Sequence, residues 1–126
     1  MSSKTILIAD DDLLLLKAMK TRLEAAGFRV VATQDSYQAV DHARRLNPDL
    51  LVLDINMPAG SGFTVQQRVE NLPELSCTPV IYVTGEDPDQ VDGIAAQMGA
   101  FSVLHKPFGA SELLDTAQRA LGIAAA

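Results

Sequence analysis

Length, charge and cysteine content exclude several classes of protein for this chain. Its 126 residues suffice for one ordinary domain with a buried core. The formal charge is −6, and no Lys or Arg occurs between Arg68 and Lys106, so we expect no direct binding to the phosphates of nucleic acids. The single Cys77 cannot form an internal disulfide, which favours a reducing compartment such as the bacterial cytoplasm. No apolar stretch is long enough to span a bilayer, so we expect no membrane contact.

Five short apolar runs alternate with five helical patterns along the chain. The third run is apolar at every position, which is typical of a strand covered on both faces, whereas Arg29 in the second run indicates a sheet edge. The predicted strands are Thr5–Ala9, Phe28–Thr33, Leu50–Leu53, Pro79–Val83 and Phe101–Leu104.

Helix signals fill the intervals between these runs. The first helix is expected to bury one face and to stop at Gly27; that face consists of Leu15, Met19, Leu23 and Ala26. Ser36 is the expected N-cap of the second helix, and Pro88 suits the first position of the fourth. The remaining helix boundaries are expected at Asn47-Pro48, Pro73, Gly99, Ser111 and Leu121.

This alternation predicts a single α/β domain over residues 1–126. Right-handed crossovers favour one five-stranded parallel sheet with five helices on both faces, which is the doubly wound, flavodoxin-like arrangement. If the strand order is 2-1-3-4-5, the carboxyl ends of the first and third strands lie side by side. Sheets of this kind bind ligands at that point.

Polar side chains stand where four of these strands end. Asp10 and Asp11 follow the first strand, Asp54 the third, Thr84 the fourth and Lys106 the fifth. Three carboxylates in one place repel each other strongly, and oxygen ligands without His or Cys favour a hard cation, Mg²⁺ or Mn²⁺. A phosphoryl group on Asp54 fits between such a metal and Lys106, so the implied chemistry is phosphoryl transfer to a carboxylate.

Five motifs at these strand ends occur in a characteristic order. They are Ile8–Asp12, Leu53–Pro58 followed by Gly60 and Gly62, Val83–Gly85, Met98–Ala100 and Lys106–Phe108. Together they resemble the receiver domains of two-component response regulators, which are the partners of sensor histidine kinases. The resemblance covers nearly the whole chain.

The resemblance implies a role for each site residue. Asp54 is expected to be the phosphoacceptor, and Asp11, Asp54 and the Asn56 carbonyl oxygen are expected to bind Mg²⁺, with Asp10 acting through water. Thr84 and Lys106 are expected to contact the phosphoryl oxygens. The resemblance also implies a cis peptide bond before Pro107.

Position 103 departs from the family pattern. Many receivers have Tyr or Phe three residues before the lysine, and that ring turns inward when the threonine moves towards the phosphoryl group. Here the residue is Val103, although Phe101 lies two residues earlier. We therefore expect the signal to pass mainly through backbone movement of the loop at residues 84–92.

Asn56 and Glu86 are expected to set the lifetime of the phosphoryl group. They lie two residues beyond Asp54 and Thr84, where the resemblance places them beside the path of the attacking water. Small or polar side chains there permit in-line hydrolysis, so we expect a phosphate that turns over.

The expected partners follow from the same resemblance. A sensor histidine kinase or phosphotransfer protein donates the phosphoryl group, and an effector domain or protein binds the face formed by the fourth helix, the fifth strand and the fifth helix. A phosphorylation-dependent homodimer is a further expectation. Whether the chain is a stand-alone receiver or a fragment of a multidomain regulator or hybrid kinase stays open.

Two other functions compete with the phosphoacceptor. A pseudo-receiver that only binds proteins is disfavoured because all five site positions are filled. A phosphohydrolase with an aspartyl-phosphate intermediate is disfavoured because Asn56 occupies the second acidic place of the expected Asp-x-Asp motif, and because 126 residues leave no room for a cap domain. We expect self-phosphorylation and autodephosphorylation but no enzyme activity on a separate substrate.

Overall fold

The computed structural model describes residues 3–123, in which five strands alternate with five helices. The strands are β1 (Thr5–Ala9), β2 (Arg29–Thr33), β3 (Leu50–Asp54), β4 (Val80–Thr84) and β5 (Ser102–His105). The helices are α1 (Leu13–Ala25), α2 (Ser36–Leu46), α3 (Gly62–Glu70), α4 (Pro88–Gln97) and α5 (Ala110–Ala120), and a 3₁₀ turn at Pro73–Leu75 follows α3.

The sheet is parallel and its order is β2-β1-β3-β4-β5, which confirms the predicted topology. In the register of β1 and β3, Ala9 lies opposite Leu53. The residues that follow, Asp10 and Asp54, are therefore brought together at the carboxyl edge of the sheet. Thr84 at the end of β4 lies opposite His105, so Lys106, the next residue, lies just beyond the same edge of the sheet.

Two apolar layers hold the helices against the sheet. Every residue of β3 and β4 is buried, because both faces of these central strands are covered. Ile81 and Val83 belong to the layer that contains residues of α1 and α5. Val80 and Tyr82 point the other way, into the layer that contains residues of α2, α3 and α4.

The predicted buried face of α1 is partly wrong. Leu16, Met19 and Leu23 are the buried residues, Leu15 is half-buried and packs against the same layer, and Ala26 is exposed. Residues 13–16 are all leucine, so the apolar pattern there did not fix the phase of the helix. The phase follows from its first turn, where the Asp12 carboxylate accepts hydrogen bonds from the backbone N–H groups of residues 14 and 15.

The predicted N-cap of α2 is also wrong by one residue. Asp35 is the cap, and its carboxylate accepts from the backbone N–H of Gln38 at 2.8 Å. Ser36 is the first helical residue, and its hydroxyl donates to the carbonyl oxygen of Pro58 at 3.4 Å. Aspartate and serine are similarly good caps, so two adjacent candidates could not be separated by residue type.

Across residues 3–123 no helix combines the length and apolar character that a bilayer crossing demands.

Candidate functional site

Three carboxylates meet at the carboxyl edge of the sheet. Asp10, Asp11 and Asp54 each offer an oxygen atom, and these atoms all lie within 4.8 Å of one another. Asp10 is fully buried and Asp54 is 4% exposed, whereas Asp11 faces solvent. The cluster therefore has two buried carboxylates and one that is exposed to solvent.

Lys106 brings the only side-chain cation found near this cluster within the described residues. Its Nζ lies 3.0 Å from Asp10 Oδ2 and 3.4 Å from Asp54 Oδ2. The peptide bond between Lys106 and Pro107 is cis, and the backbone N–H of Lys106 donates to the carbonyl oxygen of Thr84 at 2.7 Å. Burial lowers the pKa of Lys106, but its close contact with charged Asp10 and the charge of Asp54 outweigh burial and leave that pKa raised.

The electrostatics of Asp54 show that one lysine does not balance the site. Burial, followed by the charge of Asp10, raises the pKa of Asp54 to about 6. A hydrogen bond from the backbone N–H of Asn56 to Asp54 Oδ1 at 3.1 Å and the charge of Lys106 oppose this rise without cancelling it. Ionised Asp54 is therefore less favourable in the folded protein than in water.

The donor set fits a small hard cation. Three carboxylates and one ammonium leave an excess of negative charge, and buried Asp10 Oδ2 has no well-directed hydrogen bond within residues 3–123 although Lys106 lies close. An open recess of about 370 Å³ adjoins the cluster, with Asp11 and Asn56 in its lining. Carboxylate and carbonyl oxygens are the ligands that Mg²⁺ and Mn²⁺ prefer.

Thr84 stands beside this cluster at the end of β4. It is fully buried, and its Oγ1 accepts a hydrogen bond from the backbone N–H of Glu86 at 2.9 Å. This bond closes the turn between β4 and α4. Asn56 is exposed and Glu86 is half-buried, so solvent reaches the residues two positions beyond Asp54 and Thr84.

Gly62 has a role that the sequence pattern did not reveal. It follows the Leu53–Pro58 motif in the sequence, and a Cβ placed on it would lie 2.6 Å from the backbone oxygen of Asp54 and 3.3 Å from the Cβ of Leu53. The backbone N–H of Gly62 also donates to the carbonyl oxygen of Ile55 at 3.0 Å. The start of α3 therefore packs directly on the end of β3, which is possible only without a side chain.

Val103 lies opposite Tyr82 in the pairing of β4 and β5, and it packs half-buried against the apolar layer of α2, α3 and α4. Phe101 precedes β5 and is 45% exposed, with the Arg119 guanidinium carbon 6.0 Å from the centre of its ring. The aromatic residue paired with Val103 on β4 is Tyr82, which is fully buried and whose ring meets that of Phe63 edge-on at 4.8 Å.

Fold and site together define a doubly wound α/β domain with a carboxylate centre at its switch point. The sequence matches the response regulator receiver domain family over residues 6–118. The chain belongs to this family.

Several known proteins are similar to the chain. It is 34% identical over 119 residues to the response regulator GtcR of Aneurinibacillus migulanus, covering 94% of this chain and 48% of GtcR. It is 30% identical over 120 residues to the polar-differentiation response regulator DivK of Brucella ovis, covering 95% of this chain and 98% of DivK. The chain thus spans about half the length of one relative and nearly all of the other.

Solved structures show the same architecture. The chemotaxis response regulator CheY4 of Vibrio cholerae superposes with a TM-score of 0.88 at 29% identity, over 95% of this chain and 100% of that one. The receiver domain of the sensor histidine kinase PA1611 from Pseudomonas aeruginosa PAO1 superposes with a TM-score of 0.86 at 27% identity, over 96% and 99% of the two chains. The PA1611 structure has a magnesium ion coordinated in its active site cleft.

Proposed function

We propose that this domain accepts a phosphoryl group on Asp54 from a histidine kinase or a phosphotransfer protein, with Mg²⁺ or Mn²⁺ as cofactor, and that the modification changes which partner the domain binds. The observation that carries the proposal is the surroundings of Asp54. Its carboxylate lies beside Asp10, Asp11 and Lys106, and its pKa of about 6 leaves it largely ionised at neutral pH. Family membership supports the same chemistry.

The transfer is a balanced exchange of bonds. A carboxylate oxygen of Asp54 attacks the phosphorus atom of a phosphohistidine, the N–P bond breaks, and the imidazole of the donor keeps the bonding electrons and takes up a proton. Lys106 stabilises the negative charge on the phosphoryl oxygens, and the Thr84 hydroxyl donates to another of them. Asp10, Asp11, Asp54 and the Asn56 carbonyl oxygen would hold the metal, which neutralises charge on the transferred group.

Loss of the phosphoryl group by hydrolysis requires space for a water molecule beside the phosphorus. Water must approach the phosphorus in line with the bond to Asp54, and Asn56 and Glu86 flank that approach in the proposal. Asn56 is exposed and Glu86 is half-buried. In this proposal each domain accepts one phosphoryl group and removes it by autodephosphorylation. It does not turn over a separate substrate as an enzyme would.

Thr84 connects the site to the rest of the domain in this proposal. Its Oγ1 accepts from the backbone N–H of Glu86, so movement of the hydroxyl towards a phosphoryl group disturbs the turn before α4. Because Val103 has no ring to follow Thr84, the loop at residues 84–92 carries the response. Structures with and without phosphorylation in which this loop is unmoved would contradict that part.

The proposed effector surface is the face of α4, β5 and α5. Ile94 is 48% exposed and Phe101 is 45% exposed, and the Arg119 side chain lies close to the Phe101 ring. Exposed apolar side chains beside a cation suit a protein partner or a second phosphorylated copy of the chain. Sedimentation of the free and phosphorylated domain tests the homodimer.

Intact mass spectrometry tests the proposed acceptor. Incubation with Mg²⁺ and acetyl phosphate should add about 80 Da, the mass of one phosphoryl group. Asp54→Asn should abolish the addition, whereas Asp115→Asn, which removes an exposed carboxylate on α5, should not. No addition to the natural sequence would favour the pseudo-receiver, and an addition that persists in Asp54→Asn would place the acceptor elsewhere.

A further inference from the structure

A buried polar network crosses the apolar layer between β4, α3 and α4. Tyr82 of β4 is fully buried and its hydroxyl donates to the Gln66 side-chain carbonyl on α3. The Gln66 amide nitrogen donates to the carbonyl oxygen of Met98 at 2.7 Å and to the carboxylate of Glu70 at 2.9 Å. Met98 is the C-cap of α4, so one glutamine joins a central strand to the ends of two helices.

The hydrogen-bonding capacity of this network is well matched. Both N–H donors of the Gln66 amide have acceptors, and its oxygen accepts from Tyr82. Burial, and then the charge of Glu70, raise the pKa of Tyr82, so its hydroxyl keeps its proton and remains a donor. Gln66 is only 4% exposed and its bond with Tyr82 is buried, so water cannot easily replace that bond.

The network begins two residues from the proposed switch residue. Side chains alternate along a strand, so Tyr82 and Thr84 point to the same face of the sheet about 7 Å apart. Tyr82 also lies opposite Val103, the position where an aromatic switch is absent. Its hydroxyl is already bonded to Gln66, and this restrains it from following Thr84 as a free ring would.

The two ends of α4 are held differently, although Asp92 in the middle of the helix also contacts His105 of β5 at 3.0 Å. Its N-terminal end follows the turn closed by the bond between Thr84 and Glu86, and its cap Asp87 and first residue Pro88 are exposed. At the C-terminal end, Gln66 holds the carbonyl of Met98, and the backbone N–H of Phe101 donates to the carbonyl of Val80 at 2.8 Å. The second end is attached to both α3 and β4.

We propose that the network of Tyr82, Gln66 and Met98 fixes the C-terminal end of α4, so that phosphorylation displaces the N-terminal end of α4 and its preceding loop while the C-terminal end stays in place. The inference rests on the proposed phosphorylation of Asp54. The inference specifies which end of α4 moves on phosphorylation in a receiver that has valine at position 103.

Hydrogen exchange of the full chain tests this division of α4. The test variant combines Tyr82→Phe with Gln66→Leu, which removes both partners of the bond between Tyr82 and Gln66 and takes the side-chain donor away from the Met98 carbonyl oxygen. The matched control combines Tyr37→Phe with Gln67→Leu, two exposed positions with the same chemical changes. Mg²⁺ with acetyl phosphate is the probe, and intact mass of the same samples gives the fraction phosphorylated.

In the natural sequence and in the control, phosphorylation should change exchange at residues 85–92 and leave residues 97–101 unchanged. In the test variant, exchange at residues 97–101 should be about threefold to tenfold faster than in the control before phosphorylation, the ratio expected for one or two lost hydrogen bonds. Phosphorylation should then change exchange at residues 97–101 as well as at residues 85–92. Exchange at residues 50–53 of the central strand β3 separates this local effect from a general loss of stability.

Two results would overturn the inference. One is an equal response at residues 85–92 and 97–101 in the natural sequence, and the other is a test variant that behaves like the control. If no phosphoryl group is added, the proposed function fails instead. The free proteins then still decide whether the network holds the helix end, because the test variant should exchange faster than the control at residues 97–101 without any phosphodonor.

Discussion

The carboxylate cluster and the buried polar network are neighbours, because Thr84, which stands beside the cluster, is two residues from Tyr82 on β4. They nevertheless use buried polar groups in opposite ways. At the cluster, two buried carboxylates and a third at the surface share one ammonium, and the pKa of Asp54 is raised to about 6. In the network, the Tyr82 hydroxyl and both amide donors of Gln66 have partners. The cluster is unbalanced until a cation or phosphoryl group arrives, whereas the network is complete by itself.

This difference predicts effects of opposite sign on stability. Removing a charge from an unbalanced cluster relieves repulsion and a desolvation cost, so it should stabilise the fold. Removing one partner from a complete network leaves a buried group unpaired, so it should destabilise the fold. Substitutions in the cluster and in the network therefore test whether the cluster destabilises the fold while the network stabilises it.

The largest expected effect comes from Gly62, which lets the start of α3 pack closely on the backbone of Asp54 and carries no charge itself. Gly62→Ala puts a methyl group 2.6 Å from the backbone oxygen of Asp54, and this backbone, unlike the end of a flexible side chain, cannot easily move away. We expect a loss of about 3 kcal/mol in the free energy of unfolding. Urea denaturation followed by circular dichroism measures it.

Gly93→Ala is the matched control, because Gly93 is also helical but a Cβ there meets nothing within 4 Å. This variant should gain about 1 kcal/mol through helix propensity. Equal stability of the two variants would show that the approach of α3 to Asp54 is not a steric constraint.

The same contrast explains what could be predicted from the sequence. Strands and their order followed from five apolar runs, and the site followed from polar residues at strand ends, because a parallel sheet brings those ends together whatever the details of packing. The phase of α1 was not predictable from four consecutive leucines. The network was missed as well, because Gln66 and Tyr82 are 16 residues apart and only the packing of α3 on β4 joins them.

The second prediction concerns the charge of Asp54 without added metal. Asp54→Asn should be more stable than the natural sequence by up to about 3 kcal/mol at pH 7.5, because the folded carboxylate has a pKa of about 6 against an ordinary 3.8. A raised folded pKa means that the favourable contribution of Asp54 is complete below pH 4 and is lost as the pH rises through 6. The stability difference should therefore shrink towards zero between pH 7 and pH 4, and a difference independent of pH would contradict this account.

Added metal should compensate the same imbalance. Mg²⁺ at ten times its Kd should stabilise the natural sequence by about 1.4 kcal/mol at pH 7.5, since it binds only the folded cluster. Asp11→Asn removes one carboxylate of the cluster, and a Kd weakened tenfold would reduce the gain at the same concentration to about 0.4 kcal/mol. Asp12→Asn is the control, because Asp12 caps α1 and asparagine caps equally well. Equal gains in both variants would place the metal elsewhere.

The smallest expected effect is at the network, and its sign is opposite to that at Asp54. Tyr82→Phe removes one hydroxyl and leaves the Gln66 carbonyl oxygen buried without its donor, so we expect a loss of about 1 kcal/mol. Gln66→Leu alone should also destabilise the fold, because it strands the Tyr82 hydroxyl. The double variant should lose less than the sum of the two single variants, because the second substitution removes the partner that the first left unpaired. A double-mutant cycle in urea measures this coupling, and additive losses would mean that Tyr82 and Gln66 stabilise the fold independently.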